Sequence, residues 1–307
     1  MKSSIILIKR NIKLFFKDKG MFFTALITPA ILLVLYATFL GNVYRDSFIA
    51  NIQNTGELSD KLIDSLVASQ LIDSLVASQL ISSILAVSCV TVAFCSNFLM
   101  VQDKANGTVK DFRIAPIKSS VISLSYYVAT ISSTLLICFS ATAVCLIYLA
   151  SVGFYMSVAD VFLLILDVFL LVLFGTALSS VINFFLSSQG QISAVGTIVS
   201  AGYGFICGAY MPISSFSTGL QRVISFLPGT YGTSLVRYHS MRGGLAEMEK
   251  AGVPAEIIDD LMNALDCNLY FFGHKVEPLV MYLILSGSIL LLLGIYIALN
   301  TLRKKEK

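Results

Sequence analysis

Six apolar runs, nearly free of charge and each long enough to cross a bilayer, set the pattern of the chain: residues 21–40, 80–101, 121–150, 158–186, 192–211 and 279–302. At ~1.5 Å rise per residue such a run spans the ~30 Å hydrocarbon core as a single helix. The pattern predicts an all-α polytopic membrane protein with six transmembrane helices, the first kinked at Thr28-Pro29. Residues 1–19 follow another pattern. Ile5, Ile8, Ile12, Phe15 and Phe16 share one helical face, and Lys2, Lys9, Lys13 and Lys17 share the neighbouring one, as in a helix lying on a membrane surface.

The polar stretches organise what reads as a single transmembrane domain, residues 1–307. Residues 42–79 read as an external loop holding a perfect repeat, LIDSLVASQ at 62–70 and again at 71–79. Nine residues make two and a half helical turns, so the copies would face opposite ways. That favours a duplication tolerated in an exposed loop over a binding repeat. Residues 102–120 form a basic loop. After the fifth span Pro212 breaks the helix, and Phe216, Leu220, Val223, Ile224 and Leu227 mark an apolar face that stops at Pro228-Gly229. This face is too short to span, so residues 212–276 read as a re-entrant or interfacial helix followed by an external polar segment. Within that segment a helix is expected from Pro254 to Gly273, with Ile257, Ile258, Leu261 and Leu265 on one side.

Polar and small residues inside the spans are the candidates for function. The second span carries Ser82, Ser83, Ser88, Thr91, Ser96 and Asn97, which either bond neighbouring helices or face a wet cavity. In the fifth, Gly196, Ser200, Gly204 and Gly208 recur every four residues and form a small-residue stripe. The stripe serves close packing within the chain, or it lines a pathway or dimer seam together with Ser88 and Asn97. Asp160 and Asp167 lie two turns apart on the fourth span. Asp167 costs ~2.5–3.5 kcal/mol if it sits near mid-membrane, so it tilts toward the headgroups, faces protein, or contacts a cationic substrate.

Composition narrows the class. With 56% hydrophobic and 13% charged residues and a mean hydropathy of +0.84, the chain does not have the composition of a soluble domain. Segments 1–19, 102–120 and 303–307 hold fourteen lysines and arginines against four acids, whereas the longer opposite segments hold seven bases, which places both termini in the cytoplasm. The six cysteines make no CxxC pair, and His239 and His274 stand alone without an HExxH pattern, so neither a disulfide framework nor a metal site is expected. The sequence has no P-loop, GxSxG elbow or GxGxxG fingerprint, and no nucleophile–base pair that would suggest an intramembrane enzyme.

The layout and two local runs resemble the permeases of type 2 ABC exporters. DKANGTVKDFRIAPIKSS is similar to that family's coupling segment, with Asp103, Gly107, Thr108 and Pro116 at comparable spacing and Asp103 standing where the family usually has glutamate. GAYMPISSFSTGLQRVISFLPGTYGTSLVR resembles the family's stretch of a glycine, a proline, an amphipathic helix and a second proline before an arginine, here Gly208, Pro212, Pro228 and Arg237. The resemblance implies a transporter subunit and not an enzyme. ATP and magnesium would sit on separate cytoplasmic ATPase subunits, and Asp103, Lys104, Gly107, Thr108, Arg113 and Pro116 would receive their motion. It further implies a second permease copy or paralogue as partner, contact with membrane lipid, no nucleic acid, and a bacterial cell membrane. The implied cargo is a hydrophobic drug or peptide; lipid or glycan export, or a non-transporting immunity or sensor role, are the alternatives.

Overall fold

Short polar residues set where the helices begin. Asp18 caps α2 (Lys19–Leu35) by accepting the Met21 N–H at 3.1 Å, which separates it from α1 (Lys2–Lys17). The computed structural model describes residues 2–54, 70–114 and 117–305. From α2 the chain passes through a π turn at Tyr36–Leu40 into α3 (Gly41–Asn54). The long α4 (Leu71–Ala105), the short α5 (Thr108–Ile114) and α6 (Ser119–Val152) follow. Reciprocal Ser–acid and Ser–Gln capping boxes start α7 (Val158–Phe185), through Ser157 and Asp160, and α8 (Gln189–Ile206), through Ser188 and Gln191. Beyond a 3₁₀ turn at Ile213–Ser215 lie α9 (Thr218–Ile224), α10 (Pro228–Lys250), α11 (Ala255–Ala264), the hairpin β1 (Leu269–Phe271) and β2 (His274–Val276), and α12 (Pro278–Lys305).

The helix richest in small polar side chains is the axis of the fold. The apolar window of α4 is buried on every side, packed by α2, α6, α7, α8 and α10. Its hydroxyls are satisfied within the helix or across it. Ser88 and Thr91 donate to the carbonyls of Ile84 and Val87, and Asn97 donates to Ser179 and Ser180 of α7 at 3.1 and 2.9 Å. Of the two expected pathway residues, Asn97 bonds across to α7 and Ser88 bonds within α4, and they are 1% and 3% exposed within the chain.

Five helical stretches among the described residues are long and apolar enough to cross a membrane: Lys19–Ala50, Leu71–Ala105, Ser119–Val152, Val158–Phe185 and Pro278–Leu302. The expected fifth span is α8, and it ends at Ile206 instead of running to residue 211. The reason is Gly208, whose φ of +75° lets the chain reverse so that the Ala209 and Tyr210 N–H groups both donate to the Gly204 carbonyl. Pro212 follows the reversal and does not cause it.

Those residues of the expected external loop that the structure describes are mostly helical. Residues 41–54 form α3, and the second repeat copy, 71–79, is the start of α4, where Leu71, Ile72, Leu75 and Val76 are buried against Phe48 of α3, Met241 and Leu245 of α10, and Ile257 and Leu261 of α11. A helix covered on all sides has no face to preserve, so the half-turn offset between copies is no obstacle to burying one of them. The first copy, apart from Gln70, lies outside the described residues. Pro228-Gly229, read as a stop, instead opens α10, because proline at the first helical position loses no hydrogen bond. The helix expected from Pro254 to Gly273 ends at Ala264; beyond it, Leu269 pairs with Val276 and Phe271 with His274, around a Phe272-Gly273 turn with φ of 47° and 86°.

Close approach of α10 to the 151–157 connection depends on Gly243. A β-carbon there would lie 2.1 Å from the Tyr155 carbonyl oxygen, a backbone atom that cannot swing aside. Gly243→Ala is expected to cost about 1–3 kcal/mol, seen as a lowered melting temperature of the detergent-solubilised protein. An unchanged melt would show that the contact relaxes freely.

Candidate functional site

The Asp103 end of α4 joins three helices on one carboxylate, with a fourth against its partner. Arg10 of α1 donates to Asp103 in fork geometry, Nη1 to Oδ2 at 2.6 Å and Nη2 to Oδ1 at 3.1 Å, and Tyr126 of α6 donates its hydroxyl to Oδ2 at 2.5 Å. The same guanidinium lies 5.1 Å from the Phe112 ring centre on α5. The bond to Asp103 raises the Arg10 pKa above the ordinary guanidinium value, against the opposing effect of burial. α1 seats itself by Leu7, Asn11 and Phe15, whereas Ile5 and Ile6 stay exposed and Lys9, Lys13 and Lys17 face outward. Arg10 thus ties α1 to α4 by a bidentate charged bond, α6 joins through the Tyr126 hydroxyl, and α5 lies against the guanidinium only through the Phe112 ring.

The other expected coupling residues divide. Gly107 takes φ of +83° between α4 and α5, with open space where a β-carbon would be, so it serves the turn's backbone and not its packing. Thr108 is the first residue of α5, Arg113 lies in that helix, and Pro116 lies outside the described residues. Lys104 turns back into the protein. Its ammonium donates to the carbonyls of Asn183, Phe184 and Leu186 at 3.0, 2.9 and 3.2 Å, capping the end of α7.

A 960 Å³ groove opens between α2 and α8, with Cys95, Phe98 and Gln102 of α4 as its floor. Gly196 and Ser200 of the small-residue stripe line it, opposite Thr28 and Ile31. Ile27 and Ile31 are half exposed, so the groove is open on its flank and its walls are mainly apolar. The stripe also packs within the chain. Gly196 meets the Phe98 ring, Gly204 lies under the Tyr210 ring with no room for a side chain, and the Gly208 carbonyl accepts from Arg237 at 2.8 Å.

Asp167 does not face the groove. It is fully buried in α7, where His239 Nδ1 of α10 lies 2.6 Å from Oδ2 and the Tyr282 hydroxyl of α12 donates to Oδ1. The expected contact with a cationic substrate gives way to an internal bond joining three helices, and its buried carboxylate is met by two partners. His239, which stands alone in the sequence, is the residue the spacing could not reveal, because its partner is 72 positions away. Arg237, two residues before His239 and so on nearly the opposite side of α10, is 0% exposed. It donates to the Leu265 and Gly208 carbonyls, both at 2.8 Å, and to Asp266 Oδ2 at 3.2 Å.

A family model described as ABC-2 type transporter matches residues 3–239 of this chain. That range takes in the Asp103 cluster, both walls of the groove and most of α10. No curated protein matches the chain.

Proposed function

The chain belongs to the ABC-2 type transporter family, as a multi-pass membrane permease; from that premise we propose that it exports a hydrophobic drug or peptide-like substrate, driven by ATP hydrolysed on separate subunits docked at its Asp103 end. The observation that carries this reading is the Asp103 cluster. A push on α1 or α5 reaches the central helix through Arg10, and α4 is also the floor of the groove. Motion delivered at the Asp103 end thus arrives where a substrate would lie. ATP and magnesium belong to the docked subunits, and their closure shifts the permease between states only as far as it binds one of them better.

The groove supports a second permease, identical or paralogous, as the opposite wall. It is apolar, open along one flank, and lined by the two helices that a paired copy would face. Basic residues clustered at the termini and in 102–120 support a cytoplasmic position for the Asp103 end and both termini, in a bacterial cell membrane.

Six spans with a re-entrant ninth helix fit the contacts. Gly208 sits beside Arg237, whereas Gly229, eight residues earlier on α10, sits against Tyr203 and Phe174. Eight residues are ~12 Å along a helix, so the chain that reverses near Gly208 returns through α9 toward the Asp103 end before α10 begins. α8 then counts as the fifth span, and α9 as the piece that dips back.

Filling the groove tests its use. Gly196→Phe places a ring between α2 and α8 and is expected to cut efflux of lipophilic dyes or hydrophobic peptides roughly tenfold, the effect of about 1.4 kcal/mol, while the ATPase still co-purifies. Wild-type efflux from that variant would remove the groove from the route.

A further inference from the structure

The segment between α8 and α12 exposes an aromatic cluster that packing inside the chain does not account for. Phe226, two residues before α10, meets Phe271 at 5.3 Å and Phe272 at 5.9 Å between ring centres, and Phe271 meets Phe272 at 4.9 Å. Phe226 is nevertheless 62% exposed and Phe272 56%. Leu220 and Val223 of α9 are exposed beside them, and so are Leu279 and Leu283 on the first turns of α12. The hairpin thus leads, after Glu277, directly into a helix long and apolar enough to cross the membrane, whose first turns expose apolar side chains. Arg222 lies with its guanidinium 5.8 Å from the Phe272 ring, and among the described residues no carboxylate lies within ion-pair distance of it. Between α9 and the hairpin a 510 Å³ cavity, lined by Gln221, Arg222, Asn268 and Tyr270, offers polar space at the same level.

The hairpin's own build fixes its depth. Leu269 and Val276 at its base are buried against Tyr231 of α10 and Met281 of α12, so it is held at the start of the α12 span. Lys275 pairs with Asp259 of α11 at 3.1 Å, a bond that holds the Asp259 carboxyl below the usual range and marks that side as the wet one. A two-stranded sheet has unpaired edges that hydrocarbon does not tolerate, so the strands belong at the headgroups and the ring side chains reach below them. We propose that α9 and the β1–β2 hairpin form a phospholipid-binding wedge, with Phe226, Phe271 and Phe272 among the upper acyl chains and Arg222 holding a lipid phosphate from the adjoining cavity. It occupies the leaflet at the Pro278 end of α12, the outer one in the orientation proposed above.

The chain has no tryptophan, so Phe272→Trp and Phe226→Trp each supply a sole tryptophan, excited selectively over the tyrosines, in the full-length protein. Reconstituted into vesicles of phosphatidylcholine brominated near the headgroup, both are expected to lose more than half their emission, to be quenched less by chains brominated near their ends, and to resist aqueous iodide. Asp260→Trp on the exposed side of α11 should show the reverse, as the water-facing control. Brominated phosphatidylglycerol should quench Phe272→Trp at least twice as strongly as brominated phosphatidylcholine, and Arg222→Gln should abolish that preference. Quenching by iodide and not by bromolipid would overturn the wedge in favour of a water-facing surface. Resistance to both would overturn it in favour of a protein contact such as a second copy, and quenching by both lipids that Arg222→Gln leaves unchanged would remove the phosphate role of Arg222. Bromolipid quenching reads contact in either leaflet, so an error in orientation would leave this result standing.

Discussion

Asp103→Ala is expected to leave a permease that inserts and binds substrate yet no longer answers its ATPase. The substitution removes the carboxylate shared by α1, α4 and α6 and strands Arg10 and Tyr126. Breaking a fully buried pair costs about 3–5 kcal/mol; because the Arg10 side chain is 29% exposed and water partly takes over, about 2–3 kcal/mol is the reasonable expectation here. That loss falls on the attachment of α1 to α4, not on the core between the spans. Permease-dependent stimulation of ATP hydrolysis should drop toward the rate of the ATPase alone, while detergent size-exclusion behaviour stays normal. Asp103→Glu keeps the charge and should restore much of the stimulation. The pair also makes a prediction about coupling. Arg10→Met in the Asp103→Ala background should add little, because the partner it loses is already gone. Full additivity of the two substitutions would contradict the assignment.

Arg237→Ala should be the most damaging single change at the opposite end. The side chain is wholly buried and ties two separate pieces of chain to α10: the turn at Gly208, and the adjoining Leu265 and Asp266 just past α11. Asp266 also accepts the Ile213 N–H at 2.8 Å, so the same ion pair positions the start of the returning segment. Truncation leaves a buried carboxylate uncompensated and two carbonyls without their donor, a cost of about 3–5 kcal/mol. The expected result is loss of a monodisperse peak and a strongly lowered melting temperature. Arg237→Lys should rescue little, because an ammonium cannot reach acceptors spread around a planar fork. A stable, well-folded Arg237→Ala protein would show that these contacts follow the fold and do not hold it.

The apolar runs were legible because hydropathy is a local property. Four of the six appear within a few residues of their expected bounds, and α4 begins nine residues early because α3, α10 and α11 cover an end that looked solvent-exposed. The misreadings share one cause, which is dependence on distant chain. Gly208 ends α8 before the proline can, since a backbone able to take positive φ closes the turn on Gly204. The helix expected to reach Gly273 stops at Ala264, and the Phe272-Gly273 turn was the available signal for the hairpin that follows. At the candidate site, Asp103 and Gly107 stood out through motif spacing. Lys104 looked equally free to receive a partner, yet it closes the end of α7, 79 residues away. Asp167 was singled out for its cost in a membrane, but the His239 and Tyr282 that answer that cost are 72 and 115 positions distant and carry no periodic signature.

The most direct test is recovery of this chain in mild detergent from cells expressing it with its native neighbours, followed by mass spectrometry of the wild-type and Asp103→Ala samples side by side. The account predicts a soluble P-loop ATPase in stoichiometric amount with the wild-type chain, and clearly less of it, or none of its stimulation, with the variant. A folded wild-type chain that brings down no ATPase would contradict the account and make this permease fold a stand-alone membrane protein.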